Sequence, residues 1–213
     1  MKVTKIGHCC LLIELDGLTV LTDPGAFSQE QNQIRGIDVV LITHEHGDHL
    51  HVESLKEVVK NNPEVRVYTN TSTGKLLDEA GIAYAVLEGQ EVASVEEITI
   101  EAFDAKHEEI FEGFGQVQNT GYFIADRLFY PGDSYANPGK PVEILALPVA
   151  GPWAKVADVI RYALDVRPKH AFPVHDALLN ESGIASQHKH CSRELSAKGI
   201  DFISMKAGES CGF

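Results

Sequence analysis

Residues 39–50, with the sequence VVLITHEHGDHL, constrain the fold of this chain more than any other segment. The β-branched and aliphatic residues 39–42 predict a buried strand that ends in a polar loop. Side chains two apart on extended backbone point to the same side, and Gly47 permits a turn directly after them. The loop therefore predicts a cluster of metal-binding side chains at one strand end: His44, His46, Asp48 and His49.

The composition of the chain limits the class of protein to which it can belong. A chain of 213 residues is long enough for one substantial core, and we predict a single domain over residues 1–213. The formal charge of -13 argues against a nucleic-acid surface, which needs clustered Lys and Arg. The four cysteines, without CxxC spacing, do not indicate a disulfide framework, and Cys9 and Cys10 are predicted to be buried thiols. No signal peptide or membrane-spanning apolar segment is evident, so we expect a cytoplasmic protein without membrane insertion.

The order of the predicted elements indicates an α/β (α+β) fold with two sheets. Strands over 2–7, 9–15 and 18–22 open the chain, and helices over 52–61 and 71–80 alternate with strands over 65–69 and 82–87. A second series follows, with strands over 91–103, 121–125, 128–130, 144–149, 170–174 and 202–205 and helices over 154–165 and 187–198. This repetition fits a four-layer αββα sandwich, although the periodicity alone allows a generic α/β protein.

Five predicted strands end on, or just before, a carboxylate or a histidine. These residues are Asp23, His44, His107, Asp133 and His175. Strand ends at one edge of a sandwich converge in space, and a rigid scaffold of this kind suits a preorganised metal site. We therefore expect the five side chains to meet. The alternatives are that His107 is a surface residue, that Asp23 and Asp133 are turn residues, and that His175 begins a helix.

The motif His44-x-His46-x-Asp48-His49 resembles the signature of the metallo-β-lactamase-fold hydrolases, and matching elements appear in order from Asp23 to His175. The resemblance implies the αββα metallo-β-lactamase fold and two divalent metal ions. It implies that one ion is held by His44, His46 and His107. The second is held by Asp48, His49 and His175, with Asp133 bridging the two. It further implies a metal-activated hydroxide as nucleophile, with Asp48 as the catalytic residue that orients it.

Donor chemistry and two further resemblances refine this expectation. Imidazoles and carboxylates suit zinc, with manganese or iron as alternatives. The di-iron redox branch of the family replaces the second motif histidine by Glu, so His46 argues against redox chemistry. Asp23 resembles the family's first aspartate, which supports the ligands through hydrogen bonds. Gly7-His8 resembles the start of the branch with ascorbate-6-phosphate lactonases, so His8 is expected to support the site or contact substrate, or else to pack within its strand.

The predicted function is that of a compact, lactonase-like hydrolase acting on a small ester, lactone, amide or phosphodiester. Trp153, Phe111 and Phe114 follow strand ends near the motif and are candidates for the pocket wall, with ordinary packing as the alternative. Two other functions stay open: a metal-binding or sensing module without catalysis, and a nucleic-acid phosphodiesterase, which the acidic charge disfavours. We expect a small-molecule substrate and no nucleic-acid partner, and leave a homo-oligomer open.

Overall fold

The computed structural model describes residues 1–213 and contains fourteen strands and four α-helices. The strands are β1 Lys2–Gly7, β2 Cys10–Leu15, β3 Leu18–Thr22, β4 Val39–Leu41, β5 Arg66–Thr69, β6 Ala85–Val86, β7 Val92–Val95, β8 Ile98–Lys106, β9 Gln118–Ile124, β10 Leu128–Tyr130, β11 Ile144–Pro148, β12 His170–Val174, β13 Asp201–Phe202 and β14 Ser210–Gly212. The helices are α1 Val52–Asn61, α2 Thr71–Ala80, α3 Val156–Val166 and α4 Glu181–Ser196, and a short 3₁₀ helix spans Glu30–Gln33.

The strands form two seven-stranded sheets. The first has the order β14-β1-β2-β3-β4-β5-β6 and the second the order β13-β12-β11-β10-β9-β8-β7. In each sheet the hairpin strands pair antiparallel, whereas β3 to β6 and β10 to β13 pair parallel. Parallel neighbours need a crossover. Each α-helix supplies one, whereas a segment with the short 3₁₀ helix connects β3 to β4 and a loop connects β10 to β11.

The core consists of three apolar clusters, which lie between the four layers of helices and sheets. On β11, Ile144 and Ala146 pack between the two sheets, whereas Leu145 and Leu147 pack with residues of α3 and α4 on the outer face. The strand reads as a continuous apolar run because both of its faces are buried. A third apolar cluster joins the first sheet to α1 and α2. The fold is therefore the predicted four-layer αββα sandwich, which the structure confirms.

Capped helix termini hold the loops that precede α1 and follow α2. His51, directly after the motif, caps α1, because its side chain accepts from the backbone N–H of Ser54. Asn70 caps α2 at its start, and Gly81 ends the helix in the left-handed conformation at φ 69°. The loop of residues 42–51 is thus held between the end of β4 and a capped helix.

Several element boundaries differ from the sequence prediction, and the largest differences lie near the C-terminus of the chain. Helix α4 begins at Glu181, after the cap Asn180, rather than at 187, because its first turns hold Ser and Gly residues that weaken the periodic signal. Strand β13 ends at Phe202 instead of 205. Strand β14 was not predicted, since three residues without an apolar run carry no pattern, yet it pairs with β1. No helix of the structure combines the length and apolarity that crossing a bilayer requires.

Candidate metal centre

The directions of the strands bring the candidate residues to one edge of the sandwich. Strands β3 and β4 run parallel, so Asp23 and the loop after Leu41 lie at the same end. Strands β10 and β12 both run parallel to β11, and β8 shares their direction because β8 and β10 are each antiparallel to β9. The segments that follow β8, β10 and β12 carry His107, Asp133 and His175. All five strand ends therefore face a common rim.

Three histidines form the first group of donor atoms. The donor nitrogens of His44, His46 and His107 lie within 4.8 Å of one another. His44 Nε2 is 3.2 Å from His46 Nδ1. His107 donates from Nδ1 to the carbonyl oxygen of Glu108 at 2.6 Å, which leaves its Nε2 to face the rim. The structure thus brings together the residues expected to hold one metal ion.

Asp133 lies between this group and the second one. Its Oδ2 is 3.2 Å from His107 Nε2 and 2.9 Å from His175 Nε2, and its Oδ1 is 3.1 Å from His49 Nε2. The backbone N–H of Asp133 donates to Asn119 Oδ1 at 3.0 Å, which fixes the carboxylate in place. One side chain therefore reaches donor atoms of both expected ligand groups.

Asp48 completes the second group and is oriented by His8. Asp48 Oδ2 is 3.4 Å from His175 Nε2 and 3.9 Å from His49 Nε2. The backbone N–H of Ala177 donates to His8 Nδ1 at 3.2 Å, so the neutral imidazole carries its proton on Nε2. This Nε2 lies 3.1 Å from Asp48 Oδ2 and donates to it. The buried His8 is accordingly placed to position Asp48.

Asp23 organises the first sheet's side of the rim. Its fully buried carboxylate accepts from the backbone N–H and the hydroxyl of Thr43 at 2.8 Å each, from Tyr130 Oη at 2.6 Å and from His49 Nδ1 at 2.7 Å. A histidine held in this way presents its other nitrogen to a metal. The contributions of Thr43 and Tyr130 were not predicted. A buried tyrosine needing a hydroxyl partner was the available signal for Tyr130.

The charge states of His44 and Asp133 match those of metal-binding side chains. Burial, with the neighbouring His49, lowers the pKa of His44 well below its ordinary value and keeps the imidazole neutral. Burial raises the pKa of Asp133, but the nearby imidazoles of His49, His175 and His107 lower it by more. The pKa of Asp133 therefore lies well below its usual range. Neutral imidazoles and ionised carboxylates are the forms that bind divalent cations.

Several buried polar atoms in the rim have no hydrogen-bond partner: His49 Nε2, Asp133 Oδ1, and His175 Nδ1 and Nε2. An unpaired buried polar atom costs about 1–3 kcal/mol, so such atoms call for an explanation. His49 Nε2 lies 3.1 Å from Asp133 Oδ1, and His175 Nε2 lies 2.9 Å from Asp133 Oδ2, so three of these atoms gather around one carboxylate and fit a site that a cation satisfies. The residues present thus suit a metal centre by donor type, charge and orphaned donor atoms.

A buried thiol adjoins the second group. Cys9 Sγ and donor atoms of His8, His49 and His175 all lie within 4.8 Å of one another. Burial raises the pKa of Cys9, but the charges of His8, His49 and His175 lower it, to about 6. The sequence predicts Cys9 as a buried thiol only, since nothing local indicates that its side chain lies beside His49 and His175, which are distant in the chain.

Unusual backbone geometry accompanies the site. His8, Asp23 and His175 adopt positive φ values of 50°, 36° and 61°, a region that costs free energy for residues other than glycine. Gly25 allows the loop after β3 to touch the motif loop, since a Cβ there would lie 1.8 Å from the carbonyl oxygen of Asp48. The surrounding packing therefore enforces these conformations where the ligands are presented.

A cleft of about 550 Å³ opens over the candidate ligands. Trp153 lines it, as expected, whereas Phe111 and Phe114 are 65% and 74% exposed and are not among its lining residues. Their loop contributes Ile110 instead, and Phe27 and Leu178 are two further wall residues that were not predicted. The signal was present: Phe27, Ile110 and Leu178 each follow a rim residue, Asp23, His107 and His175, by three or four positions.

Comparisons with known proteins agree with this architecture. Residues 2–175 match the model of a family described as the beta-lactamase superfamily domain. Protein Rv0786c of Mycobacterium tuberculosis is 35% identical over 184 residues, which cover 84% of this chain and 85% of the relative. A UPF0173 metal-dependent hydrolase of Carboxydothermus hydrogenoformans is 27% identical over 194 residues, covering 82% of this chain and 84% of the relative.

Among solved structures, Igni18, a metallo hydrolase of the archaeon Ignicoccus hospitalis, superposes with a TM-score of 0.76. The match covers all of this chain and 98% of Igni18, at 19% identity. Identity this low shows a common fold. This chain thus shares its two-sheet architecture with a metallo hydrolase.

Proposed function

Since this chain belongs to the beta-lactamase superfamily and is a metal-dependent hydrolase, we propose that it works with two divalent cations, held by the seven rim residues. The first cation takes His44, His46 and His107. The second takes Asp48, His49 and His175, and Asp133 bridges the two. Zinc is the expected metal, because imidazole and carboxylate donors suit it, with manganese or iron as alternatives.

The position of Asp133 is the observation that carries this proposal. Its carboxylate approaches His107 of the first group and both His49 and His175 of the second group within 3.2 Å. A carboxylate that satisfies only one cation would have no reason to contact both groups. The orphaned donor atoms of His49 and His175 support a cation on the second group as well.

Divalent cations bound at such a site lower the pKa of a shared water from about 15.7 toward 7 and polarise the scissile carbonyl or phosphoryl group. The chain's own side chains supply orientation. Asp48, whose carboxylate is held by His8, accepts a hydrogen bond from the attacking water and aims its oxygen at the substrate. Trp153 and its apolar neighbours border the cleft and limit the access of bulk water.

The proposed reaction is hydrolysis of an ester, lactone, amide or phosphodiester bond in a small molecule. A nucleic-acid substrate is disfavoured because the chain carries a formal charge of -13 and no Lys or Arg lines the cleft. The compact, lactonase-like resemblance at Gly7-His8 agrees with a small substrate.

Metal removal and restoration test this function. Purified protein is stripped with a chelator, re-supplied with zinc or manganese, analysed for bound metal, and assayed on a lactone, p-nitrophenyl butyrate and bis-p-nitrophenyl phosphate. We expect about two equivalents of metal and activity that returns with it. The Asp133→Asn variant lacks the shared carboxylate ligand, so it should bind at least one equivalent of metal less. Its kcat/KM should fall about 10³-fold or more.

The exposed Asp16 in the β2–β3 turn provides the matched control, since Asp16→Asn makes the same chemical change far from the rim and should leave both quantities unaltered. Metal bound without turnover on any substrate would favour a sensing module and overturn the proposal. Cleavage confined to RNA, with steep salt dependence, would instead indicate a nucleic-acid phosphodiesterase.

A further inference from the structure

The lining of the cleft points to the substrate class: we infer that the enzyme acts on uncharged esters or related acyl compounds whose acyl group is an apolar chain or ring. This inference rests on the proposed hydrolase function and deepens it. It is carried by three observations, namely the apolar wall, the absence of a charged partner beyond the ligands, and the acidic surroundings.

Apolar side chains surround the candidate ligands on several sides. They come from separate loops and include Phe27, Ile110, Pro152, Trp153 and Leu178. Phe27 and Leu178 are 46% and 57% exposed, and both lie in this one cleft rather than scattered over the surface. A volume of about 550 Å³ is in the range of sites for small molecules. The wall therefore offers apolar contact to a substrate of modest size.

Polar side chains in the cleft are confined to the proposed ligands and one indole. His46, Asp48, His107, Asp133 and His175 are all assigned to metal, and Trp153 adds a single N–H. No Lys or Arg is present. A charged group placed beyond the scissile bond would lose hydration without gaining a partner, which is costly. The part of the substrate that contacts the wall should accordingly be apolar.

Acidic residues at the rim reinforce this selectivity. Glu109 and Glu112 are exposed on the loop that carries Ile110 into the cleft. The whole chain has a formal charge of -13. A negative potential of this kind lowers the local concentration of anions and slows their association. Anionic substrates, such as phosphorylated or carboxylated esters, should therefore be poorer than neutral ones of equal size.

The indole of Trp153 is held in place by its neighbours before any substrate binds. A Cβ at Gly151 would lie 2.8 Å from the indole Cε2, so the ring packs directly on the glycine backbone. The indole also meets Tyr135 at a centroid distance of 5.3 Å, and lies 6.1 Å from His107 and 5.5 Å from His175. A preformed aromatic surface binds an apolar group with little loss of side-chain entropy.

The reaction balances as ordinary ester hydrolysis. The oxygen of water forms a bond to the acyl carbon, and the bond between that carbon and the leaving oxygen breaks. One proton of water passes to the leaving oxygen, and the other is released as the carboxylic acid ionises. No oxidant, reductant or further reactant is needed.

A matched set of p-nitrophenyl esters tests the substrate class with the zinc-loaded enzyme. Across acetate, butyrate and hexanoate, we expect kcat/KM to rise about threefold per added methylene, as burial of each CH₂ predicts. The butyrate and hemisuccinate esters share a leaving group and acyl carbon count but differ in one carboxylate. We expect kcat/KM to be about tenfold or more higher for the butyrate ester. A flat series, or a preference for the hemisuccinate, overturns the inference.

Variants locate the preference in the cleft. Leu178→Ala should lower the hexanoate-to-acetate ratio of kcat/KM about tenfold, because the residue contacts only the longer chain. Val92→Ala on β7 is the control: Val92 is 56% exposed, like Leu178 at 57%, but lies outside the cleft, and its replacement should leave the ratio unchanged. An equal loss for both esters in Leu178→Ala would indicate a structural defect and contradict the inference.

Fluorescence supplies a measurement that does not depend on turnover. Trp153 is the only tryptophan of the chain, so its emission reports directly on the cleft. We expect 2-octanone to change the Trp153 emission at a concentration about tenfold or more below the concentration of 2-butanone that is needed. Absence of turnover on every ester together with this binding preference would overturn the hydrolase function alone. Turnover of short and long esters alike, without a binding preference, would overturn the substrate class alone.

Discussion

At the scale of single residues, the site depends on side chains that orient the ligands. Asp23 receives four hydrogen bonds, from two groups of Thr43, from Tyr130 and from His49, although it contacts no proposed metal position itself. Its carboxylate thereby sets which nitrogen of His49 faces the rim. A positioning role of this kind affects metal affinity and stability together, because the same bonds serve both.

Replacement of Asp23 by Asn is expected to weaken metal binding about 10–100-fold, since one amide oxygen cannot accept from all four donors. We also expect the free energy of unfolding to fall by about 2–4 kcal/mol, because buried donors lose their partner. Tyr130→Phe removes one donor only and should cost about 1 kcal/mol. Zinc competition titration and urea unfolding measure the two effects. Unchanged zinc affinity in Asp23→Asn would refute the positioning role.

At the scale of elements, a buried ion pair ties β1 of the first sheet to the end of β12 in the second. Lys5 Nζ lies 2.6 Å from Asp176 Oδ2, and both side chains are almost completely buried. Asp176 directly follows His175, whose backbone N–H donates to the carbonyl oxygen of His8 at 3.2 Å. The pair thus holds the segment that presents His175 against the opposite sheet.

Loss of this pair should be costly. Lys5→Met leaves a buried carboxylate with His188 as its nearest basic neighbour, 3.6 Å away, and should lower the free energy of unfolding by about 3–5 kcal/mol. Lys2→Met on the same strand breaks an exposed ion pair with Glu14 and should change the free energy of unfolding by less than about 1 kcal/mol. Urea denaturation compares the two variants. The double variant Lys5→Met/Asp176→Leu should recover much of the loss, and equal effects of the two lysine variants would contradict a special role for the buried pair.

At the scale of the whole molecule, the candidate ligands come from both sheets. Residues 44–49 follow β4 in the first sheet, whereas His107, Asp133 and His175 follow strands of the second. A cation at the rim therefore joins loops that are otherwise connected only through the core and a few long-range hydrogen bonds. Because this arrangement exists only in the folded chain, metal binding and folding stability are linked.

Zinc should raise the midpoint of thermal unfolding. At a free zinc concentration of 100 Kd the stabilisation is about 2.7 kcal/mol, which corresponds to roughly 5–10 °C for a domain of this size. Differential scanning calorimetry with chelator and with zinc measures the shift. The Asp133→Asn variant should show a markedly smaller one. An equal shift in that variant, or none in the parent protein, would count against a cation at the rim.

The sequence alone determined the local features of this protein, namely its main strands and the types of side chain that could bind a metal. The apolar runs of β4 and β11 and the motif of residues 44–49 are contiguous patterns, so the strands and the donor types could be inferred without a partner element. The paired hairpins and helices, with the family resemblance, led to the αββα sandwich. Helix α4 began earlier than expected and β14 was missed, because weak helix formers and a three-residue strand carry little local signal.

Only the tertiary structure decided how distant residues meet. Asp133 between two groups of histidines, the contact of Lys5 with Asp176 at a separation of 171 residues, and the apolar wall of Phe27, Ile110 and Leu178 all depend on strand order and on the packing of one sheet against the other. Periodicity records which face of an element is buried but not what lies opposite it. The identity of the neighbour across the core is therefore a property of the folded chain.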